Sequence, residues 1–357
     1  MSADKMAEPA PDLHLKPSSA IVGVRIINTT SWISLPTKLF FGPHIKGFDQ
    51  LSVPSYSFLI EHPSGRKLLF DLGVRKDWEN LSPVTLGMIE QIRPAKIDAK
   101  KGVREQLEEH GVSGSSIEGI IWSHWHFDHT GDPSTFDAHT ALIVGPGFKD
   151  ALTPGYPANQ DSVILESDYS GRELREIQFK PGNRIGRFEA FDYFGDGSYY
   201  ILNAPGHTIG HICSLARVTS NQHYILMGAD TAHQAGQFRP SIYLPLPDRI
   251  LPHPLDIRSA TPCPGALFEH LLRNGDKSPF FDIAKDGVAF DADEAQESIG
   301  KLQEADAHSN ILVVLAHDKS LLPWATFFPE YANDFISKNW AGNGRWAFLK
   351  DLEEALE

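Results

Sequence analysis

The sequence His-Trp-His-Phe-Asp-His at residues 124–129 carries four potential metal ligands and directly follows an apolar run. Because alternate residues of an extended segment point the same way, His124 and His126 can share one metal ion. The turn that follows can aim Asp128 and His129 at a second ion. The alternative is a histidine-rich surface loop, which does not require this spacing. The pattern therefore favours a binuclear metal centre.

Four ligands do not complete two coordination shells, so further His, Asp or Glu side chains are required. Three candidates, His207, Asp230 and His317, each lie just past an apolar run, as His124 does. In layered αβ folds such strand ends form a common rim where ligands converge. Taken singly, Asp230 could be a helix cap and either histidine a hydrogen-bonded loop residue. The predicted set is His124, His126 and His207 on one ion, Asp128, His129 and His317 on the other, and Asp230 bridging the two.

Length and charge exclude several classes of protein. A chain of 357 residues buries a core without disulfides, and its two cysteines, Cys213 and Cys263, fit a reducing, cytoplasmic compartment. The net charge of −14 argues against a nucleic-acid partner, because such binding depends on Lys and Arg. The apolar runs fall short of the ~20 residues that a membrane helix needs, so no membrane partner is expected.

Short apolar runs separated by Gly-rich and Pro-rich turns predict an α/β protein with many short strands. Helical periodicity is clearest at 103–109, 265–273 and 291–305, where Asp291 and Glu294 form a predicted capping box. We expect a flexible N-terminal tail over residues 1–19 and a single domain over 20–357. The predicted strands are 21–28, 56–61, 67–71, 119–123, 141–144, 199–203, 223–228 and 311–316.

The stretch 234–264 is rich in proline, which can neither donate to a β-ladder nor continue a helix. It therefore predicts a long irregular excursion. The interval from Asp230 to His317 is long for one strand–helix–strand step, so we expect residues 234–310 to form an insertion. Its role is either a cap over the metal centre or an oligomer contact. With this insertion, the aromatic side chains Trp125, Phe127, Trp32, Phe40 and Phe41 are candidates for lining an apolar substrate pocket, although most aromatic clusters are ordinary core.

The motif at 124–129 resembles the His-x-His-x-Asp-His signature of the metallo-β-lactamase superfamily. Segments 70–73, 205–208, 228–230 and 316–317 resemble further motifs of that family in the same order, so the resemblance extends from about Ile21 to the C-terminal region. It implies an αββα sandwich, with two internal sheets, helices outside and a binuclear site at the sheet edge.

Departures from the family pattern narrow the subgroup. The main β-lactamases typically have Cys where this chain has Asp230, diiron flavoproteins have Glu in place of His126, and persulfide dioxygenases lack the counterpart of His317. The charge disfavours the phosphodiesterases and nucleases. Lactonases, hydroxyacylglutathione hydrolases and polyketide-associated thioesterases remain, and the chain is most similar to fungal members of the N-acyl-homoserine lactonase-like type.

The resemblance implies a zinc-dependent hydrolase that opens a lactone or lactam ring in a small hydrophobic carbonyl substrate; the alternative substrate is an acyl thioester. A metal-bridging hydroxide would attack the carbonyl, and Asp128 could orient it and carry a proton to the leaving group. Five imidazoles and two carboxylates without a thiolate suit two Zn²⁺ ions, although Mn, Co or Fe fits the same ligands. The oligomeric state is left open.

Two further residues have predicted roles. Bacterial lactonases are expected to carry a tyrosine shortly after the bridging Asp, whereas this chain has Thr231, Ala232 and His233. We expect His233 to replace that tyrosine as a hydrogen-bond donor to the substrate carbonyl; the alternative is a packing role. Asp71, at a predicted strand end, is a candidate to hydrogen-bond the motif loop or a ligand imidazole; the alternative is a turn carboxylate.

Overall fold

Two β-sheets form the centre of the structure, a computed structural model that describes residues 6–92 and 96–356. The larger sheet has seven strands in the order β5 (Lys96–Asp98), β1 (Gly23–Pro36), β3 (Gln50–Glu61), β4 (Lys67–Phe70), β6 (Gly119–Ile121), β7 (Ala141–Val144) and β8 (Leu174–Glu176). The smaller sheet has six, in the order β17 (Ile311–Leu315), β13 (Tyr224–Ala229), β12 (Ile212–Arg217), β11 (Tyr199–Asn203), β10 (Phe188–Asp192) and β9 (Arg184–Ile185). Two short pairs complete the strands: β14 (Arg249–Ile250) with β15 (Cys263–Pro264), and β16 (Asp282–Ile283) with β2 (Phe41–Gly42).

The helices are short, apart from one near the C-terminal end. The α-helices are α1 (Pro83–Gln91), α2 (Val103–Glu109), α3 (Phe127–Thr130), α4 (Phe148–Leu152), α5 (Ala292–Asp306) and α6 (Trp340–Gly344), and 3₁₀ turns extend over Ala347–Leu356. The predicted helix at 265–273 is instead two 3₁₀ turns, Gly265–Leu267 and Glu269–Leu271. Among the described residues, no helix combines the length and apolar character needed to cross a bilayer.

Alternation along the strands explains the layers of the larger sheet. Ile121 and Ile143 belong to an apolar cluster shared with the facing sheet, whereas their neighbours Ile120 and Leu142 belong to a cluster that contains Leu107 of α2. Successive strand residues point to opposite faces, so one face packs on the second sheet and the other on helices.

The smaller sheet follows the same rule. Ile225 packs toward the larger sheet, and Leu226 packs outward into a cluster with Ile299 and Leu302 of α5. The layers are therefore helix, sheet, sheet and helix, which confirms the αββα sandwich that the resemblance implied.

Helix α5 begins close to a site loop. Asp291 accepts a hydrogen bond from the Glu294 backbone N–H, as the predicted capping box requires. The Asp291 backbone N–H, however, donates to the Gly206 carbonyl at 2.8 Å rather than to Glu294. The helix start is thus tied to the residue directly before His207.

The N-terminal segment differs from the predicted flexible tail. The Glu8 N–H donates to the Ile242 carbonyl, and the Leu13 carbonyl accepts a bond from the Gly186 N–H at 2.7 Å. The Leu13 side chain is buried in the apolar cluster that also contains Leu226 of β13 and Ile299 of α5. Residues distant in the chain supply these partners, so the local composition does not indicate the contacts. Residues 1–5 of the predicted tail lie outside the described residues.

We predict that Gly206→Ala destabilises the protein by about 3 kcal/mol or more. Gly206 has φ +115°, and an added Cβ would lie 2.0 Å from the Ala295 backbone nitrogen of α5. Gly65→Ala is the control, because Gly65 has φ +89° and the added Cβ would have no described atom outside the neighbouring residues within 4 Å, so it should lose only the ~1–2 kcal/mol of a positive-φ side chain. Urea unfolding measures both. Equal losses would contradict a close helix approach at Gly206.

Candidate metal centre

The carboxyl ends of several strands from both sheets supply the site residues. Asp71 follows β4 directly, His124 lies just beyond β6, and Asp230 follows β13 directly. His207 and His317 come shortly after β11 and β17. Strands β4 and β6 are parallel neighbours, as are β13 and β17, so these ends meet at one edge of the sandwich.

The backbone is strained at two of these strand ends. Asp71 has φ +59° and Ala229, next to Asp230, has φ +45°, both in the left-handed region. The pairing of β13 with β17 also shifts register between Met227 and Ala229. Such conformations cost about 1–3 kcal/mol each and occur where a side chain must be re-aimed. Here they precede or include site carboxylates.

The Asp230 carboxylate lies between two groups of histidines. Its Oδ2 is 3.5 Å from His207 Nε2 and 3.9 Å from His124 Nε2. Its Oδ1 is 3.2 Å from His129 Nε2 and 3.3 Å from His317 Nε2. Each oxygen thus faces a different group, which is the arrangement a bridging carboxylate needs.

All seven side chains predicted as ligands lie together, in the predicted grouping. Within each group the potential ligand atoms lie within 4.8 Å of one another. The first group is His124, His126, His207 and Asp230, and the second is Asp128, His129 and His317. Across the first group, His126 Nδ1 and His207 Nε2 are 3.1 Å apart, and in the second, His317 Nε2 is 3.3 Å from Asp128 Oδ2.

Burial keeps the histidines of the first group neutral. It is the largest effect on His124, His126 and His207 and lowers the pKa of each, that of His126 to about 4. Neutral imidazoles present a lone pair on an unprotonated ring nitrogen, which is the form that binds metal ions. His124 Nε2 is buried and has no hydrogen-bond partner in the described part of the chain.

The histidines of the second group respond in the opposite direction. Burial alone would lower the pKa of His129 and His317, but the Asp230 carboxylate leads the effects that outweigh it, and the pKa of His317 rises to about 10. Burial alone would raise the pKa of Asp230, but His129 and His317 hold it well below its ordinary value. Without metal ions, protons on these rings balance the carboxylate; divalent cations would replace them.

The residues present therefore fit metal ions. An unpartnered buried nitrogen at His124 loses the free energy of its water contacts unless a ligand supplies a partner. The donor set of five imidazoles and two carboxylates is one that zinc and similar divalent ions accept.

Asp71 orients one of the grouped histidines. Its Oδ1 accepts the Ser123 backbone N–H at 2.7 Å, and its Oδ2 lies 2.7 Å from Ser123 Oγ and 2.9 Å from His129 Nδ1. The sequence predicted that Asp71 hydrogen-bonds either the motif loop or a ligand imidazole, and the structure has both contacts. With Nδ1 engaged by Asp71, His129 directs Nε2 toward Asp230.

His233 lies at the edge of the first group. Its Nε2 is 3.2 Å from Asp230 Oδ2, and its ring packs on Phe40 with the ring centres 4.3 Å apart. The His233 backbone N–H donates to Gln237 Oε1 at 2.7 Å, whereas His233 Nδ1 is buried without a hydrogen bond.

His211 is a site residue that the sequence reasoning missed. It is fully buried, and its Nδ1 lies 2.7 Å from the Ala204 carbonyl, so Nδ1 carries the proton. Its Nε2 therefore accepts the Asp230 backbone N–H at 3.2 Å. The spacing Gly-His-x-x-Gly-His at 206–211 was the available signal, because it repeats the Gly-His pair of His207 four residues later.

A cavity of about 540 Å³ lies beside the grouped side chains. Most of its wall is apolar and includes Phe40, Trp125 and Phe127, as expected.

The prediction that Trp32 and Phe41 line the cavity is wrong. Trp32 is 39% exposed, and Phe41 is buried in the core, because neighbouring strand positions turn these rings elsewhere. The other wall residues are Ile33, Leu35, Leu39, Leu51, Val53, Thr85, Met88, Ile89, Gln91, Ile92, Ala151, Leu152, Thr208, Ile209, Val288 and Phe290, with five of the ligand candidates and His233.

The Pro-rich stretch is not the expected cap over the cavity. Among the described residues, the wall includes Val288 and Phe290 of the predicted insertion but none from 234–264. Instead, Leu246, Ile250 and Cys263 are buried in the same apolar cluster as Leu13, because the stretch has enough apolar side chains to pack against the sandwich. Phe290 is 69% exposed and lies at the cavity mouth.

Comparisons with known proteins agree with this geometry. A family model described as the metallo-beta-lactamase superfamily matches residues 52–307. Gamma-lactamase FDB1 of Fusarium pseudograminearum is 44% identical over 353 residues, which cover 96% of this chain and 85% of that protein. Metallo-hydrolase mfmC of Annulohypoxylon moriforme is 41% identical, covering 98% of this chain and 92% of its own. A solved quorum-quenching N-acyl homoserine lactone hydrolase shares the fold, with a TM-score of 0.58, 16% identity and coverage of 88% and 99% of the two chains.

We predict that Asp71→Asn lowers the free energy of unfolding by about 1–3 kcal/mol, because the new amide donor would face the donors on Ser123 or His129 inside the protein. Asp49→Asn is the matched control, since Asp49 Oδ1 lies 2.7 Å from His44 Nε2 but both side chains are more than half exposed. The control should change stability by less than about 1 kcal/mol. Urea unfolding of both variants tests the contrast, and equal effects would contradict it.

Proposed function

The chain belongs to the metallo-beta-lactamase superfamily, and from that premise we propose that it is a binuclear metal-dependent hydrolase that opens the ring of a small apolar lactone or lactam. One observation carries the proposal: seven His and Asp side chains converge beside a largely apolar cavity. A polar centre next to an apolar wall suits a substrate with one reactive carbonyl on a hydrophobic body.

We propose two Zn²⁺ ions as the cofactors, for which Mn, Co or Fe could substitute; the two groups would hold them, with Asp230 facing both groups. Two such ions, when bound, generate a hydroxide nucleophile at neutral pH and polarise the carbonyl. The protein contributes fixed orientation: Asp71 turns His129, and His211 holds the Asp230 backbone.

Asp128 is the proposed proton carrier. Its Oδ2 lies 3.3 Å from His317 Nε2, and the residue lines the cavity. Burial alone would raise the pKa of Asp128, but His129 and His317 outweigh it, so the pKa lies below its ordinary value and the carboxylate is ionised at neutral pH. An ionised carboxylate at the cavity wall can accept a proton during attack and pass it to the leaving oxygen or nitrogen.

His233 is the proposed hydrogen-bond donor to the substrate carbonyl. It lines the cavity and lies three residues after Asp230, and no group within 6–92 or 96–356 hydrogen-bonds its Nδ1. Packing on Phe40 fixes the plane of its ring. A donor held in place before the reaction stabilises the charge that develops on the carbonyl oxygen.

Two facts support a cyclic, uncharged substrate. The relative with 44% identity is named a gamma-lactamase, which supports a lactam, while the lactone reading rests on the sequence motifs. The net charge of −14 opposes polyanionic substrates.

A panel of apolar lactones, lactams and acyl thioesters, assayed with protein loaded with Zn²⁺, tests the proposal. We expect ring opening of at least one lactone or lactam at a higher kcat/KM than any thioester, and loss of turnover after chelation with recovery on adding Zn²⁺. Elemental analysis should give two metal ions per chain. A consistent preference for thioesters would favour the alternative hydrolase, and full turnover by metal-free protein would refute both.

We predict that Asp128→Asn lowers kcat by about a hundredfold or more, because the amide cannot carry the proton. His233→Phe should lower kcat by a similar factor with two metal ions retained, because it removes the donor and its contact with Asp230 but none of the seven ligand candidates. Asp132→Asn is the control, since Asp132 lies near α3 but caps a turn through Ser134, away from the cavity. Kinetics and metal content of all three variants decide the roles; wild-type kcat in Asp128→Asn would exclude it as the proton carrier.

A further inference from the structure

A short segment of β3, Pro54–Ser57, hydrogen-bonds to several loops of the metal centre. The Pro54 carbonyl lies 2.9 Å from His317 Nδ1, which therefore carries the proton. Ser55 Oγ donates to the Asp128 backbone carbonyl at 2.6 Å. Ser57 Oγ donates to the Asp71 backbone carbonyl, also at 2.6 Å. Three positions of β3 thus hydrogen-bond to three separate loops, those of His317, Asp128 and Asp71.

Tyr56 adds to the hold on the loop of His317. Its backbone N–H donates to the Ala316 carbonyl at 3.0 Å, and its hydroxyl donates to the Asp318 carbonyl at 3.0 Å. The residues on both sides of His317 are therefore bound to β3, as is its own ring. A ring fixed in this way can present Nε2 to Asp128 and Asp230 without rearrangement.

The two serines are unusual for their position. Ser55 and Ser57 are fully buried and share one face of β3, where Leu59 continues as an apolar core residue. A buried hydroxyl costs free energy unless it is bonded, and each serine uses its hydroxyl on the carbonyl of a site residue. An irregularity in β1, whose register with β3 shifts between Asn28 and Trp32, lies directly opposite. Thr29 Oγ1 donates to the Ser55 carbonyl there.

The contacts are selective for the second group. Pro54 reaches His317, Ser55 reaches Asp128, and Ser57 reaches Asp71, whose carboxylate orients His129. Among the hydrogen bonds of residues 6–92 and 96–356, none joins 53–57 to His124, His126 or His207.

Other residues support the first group. Ser298 Oγ of α5 donates to the Pro205 carbonyl at 2.7 Å, two residues before His207. Ser123 Oγ lies 3.0 Å from His124 Nδ1. Because Ser123 also bonds Asp71, the contact between these two residues is common to both groups. The supports that differ are Ser55 on Asp128 and Ser298 on the loop before His207, so weakening Ser55 should affect the second group alone.

We propose that Pro54–Ser57 is a positioning segment for the second metal ion, and that Ser55 is a positioning residue that acts through Asp128. The inference rests on the proposed function, because it requires two bound ions. It adds that different parts of the fold set the Zn²⁺ affinities of the two groups. Strand β3 sets the affinity of the second group, and the residues around α5 and β11 set that of the first.

The test measures Zn²⁺ affinity by competition with a chromophoric chelator, in two backgrounds. His207→Ala leaves the second group intact, and His317→Ala leaves the first. In the His207→Ala background, Ser55→Ala should weaken Zn²⁺ binding about tenfold or more, the usual effect of removing a partner of a ligand. In the His317→Ala background it should change affinity less than about twofold. The absorption of bound Co²⁺ gives an independent view of the geometry and should change only in the first case.

Ser298→Ala is the matched control, since it also removes a buried hydroxyl from a backbone carbonyl. It should leave affinity in the His207→Ala background unchanged. Should Ser55→Ala fail to fold by circular dichroism, Ser55→Cys is measured instead; its thiol is a weaker donor to the Asp128 carbonyl, so it should act in the same direction. Equal effects in both backgrounds, or none in either, would overturn the inference alone. Wild-type protein that binds fewer than two Zn²⁺ would overturn the proposed function and the inference with it.

Discussion

A buried carboxylate placed between two sets of imidazoles is the constraint on which the site depends. Asp230 is 3% exposed, and moving an unpaired carboxylate out of water costs several kcal/mol. His129 and His317 of the second group supply the compensating positive charge as protons, which divalent ions would replace on binding. The strained backbone at Ala229 and the register shift of β13 are the local cost of aiming this one group.

Much of the site could be predicted from the sequence because its ligands follow strands. The runs before His124, Asp230 and His317 are apolar on both faces, as expected for strands inside a sandwich, and the ends of such strands converge. The strand 141–144 and the helix near 291–305 were predicted almost to their boundaries for the same local reasons. Local pattern was sufficient wherever periodicity and caps decide the structure.

The contacts that support the ligands could not be predicted in this way. Ser55 bonds a carbonyl 73 positions along the chain, and nothing in its neighbourhood distinguishes it from a surface serine. The same applies to Leu13, whose carbonyl accepts the distant Gly186 N–H. It also applies to the Pro-rich stretch, where the high proline content obscured the apolar residues that pack into the core. Contacts between residues far apart in the chain determine where these residues lie, and the local composition does not indicate such contacts.

The anchored N-terminal segment has a consequence for the order in which the chain becomes ordered during synthesis. Besides the bonds of Glu8 and Leu13, the Lys16 carbonyl accepts a bond from the buried Arg217, and the Pro11 carbonyl lies 2.8 Å from His308 Nε2. Lys16 and Pro11 thus stay without these partners until residues 201 and 297 positions further along the chain have been made. When Leu13 docks, its carbonyl takes up the N–H of Gly186, directly after the edge strand β9, and an edge N–H left open is a template for strand pairing between neighbouring nascent chains.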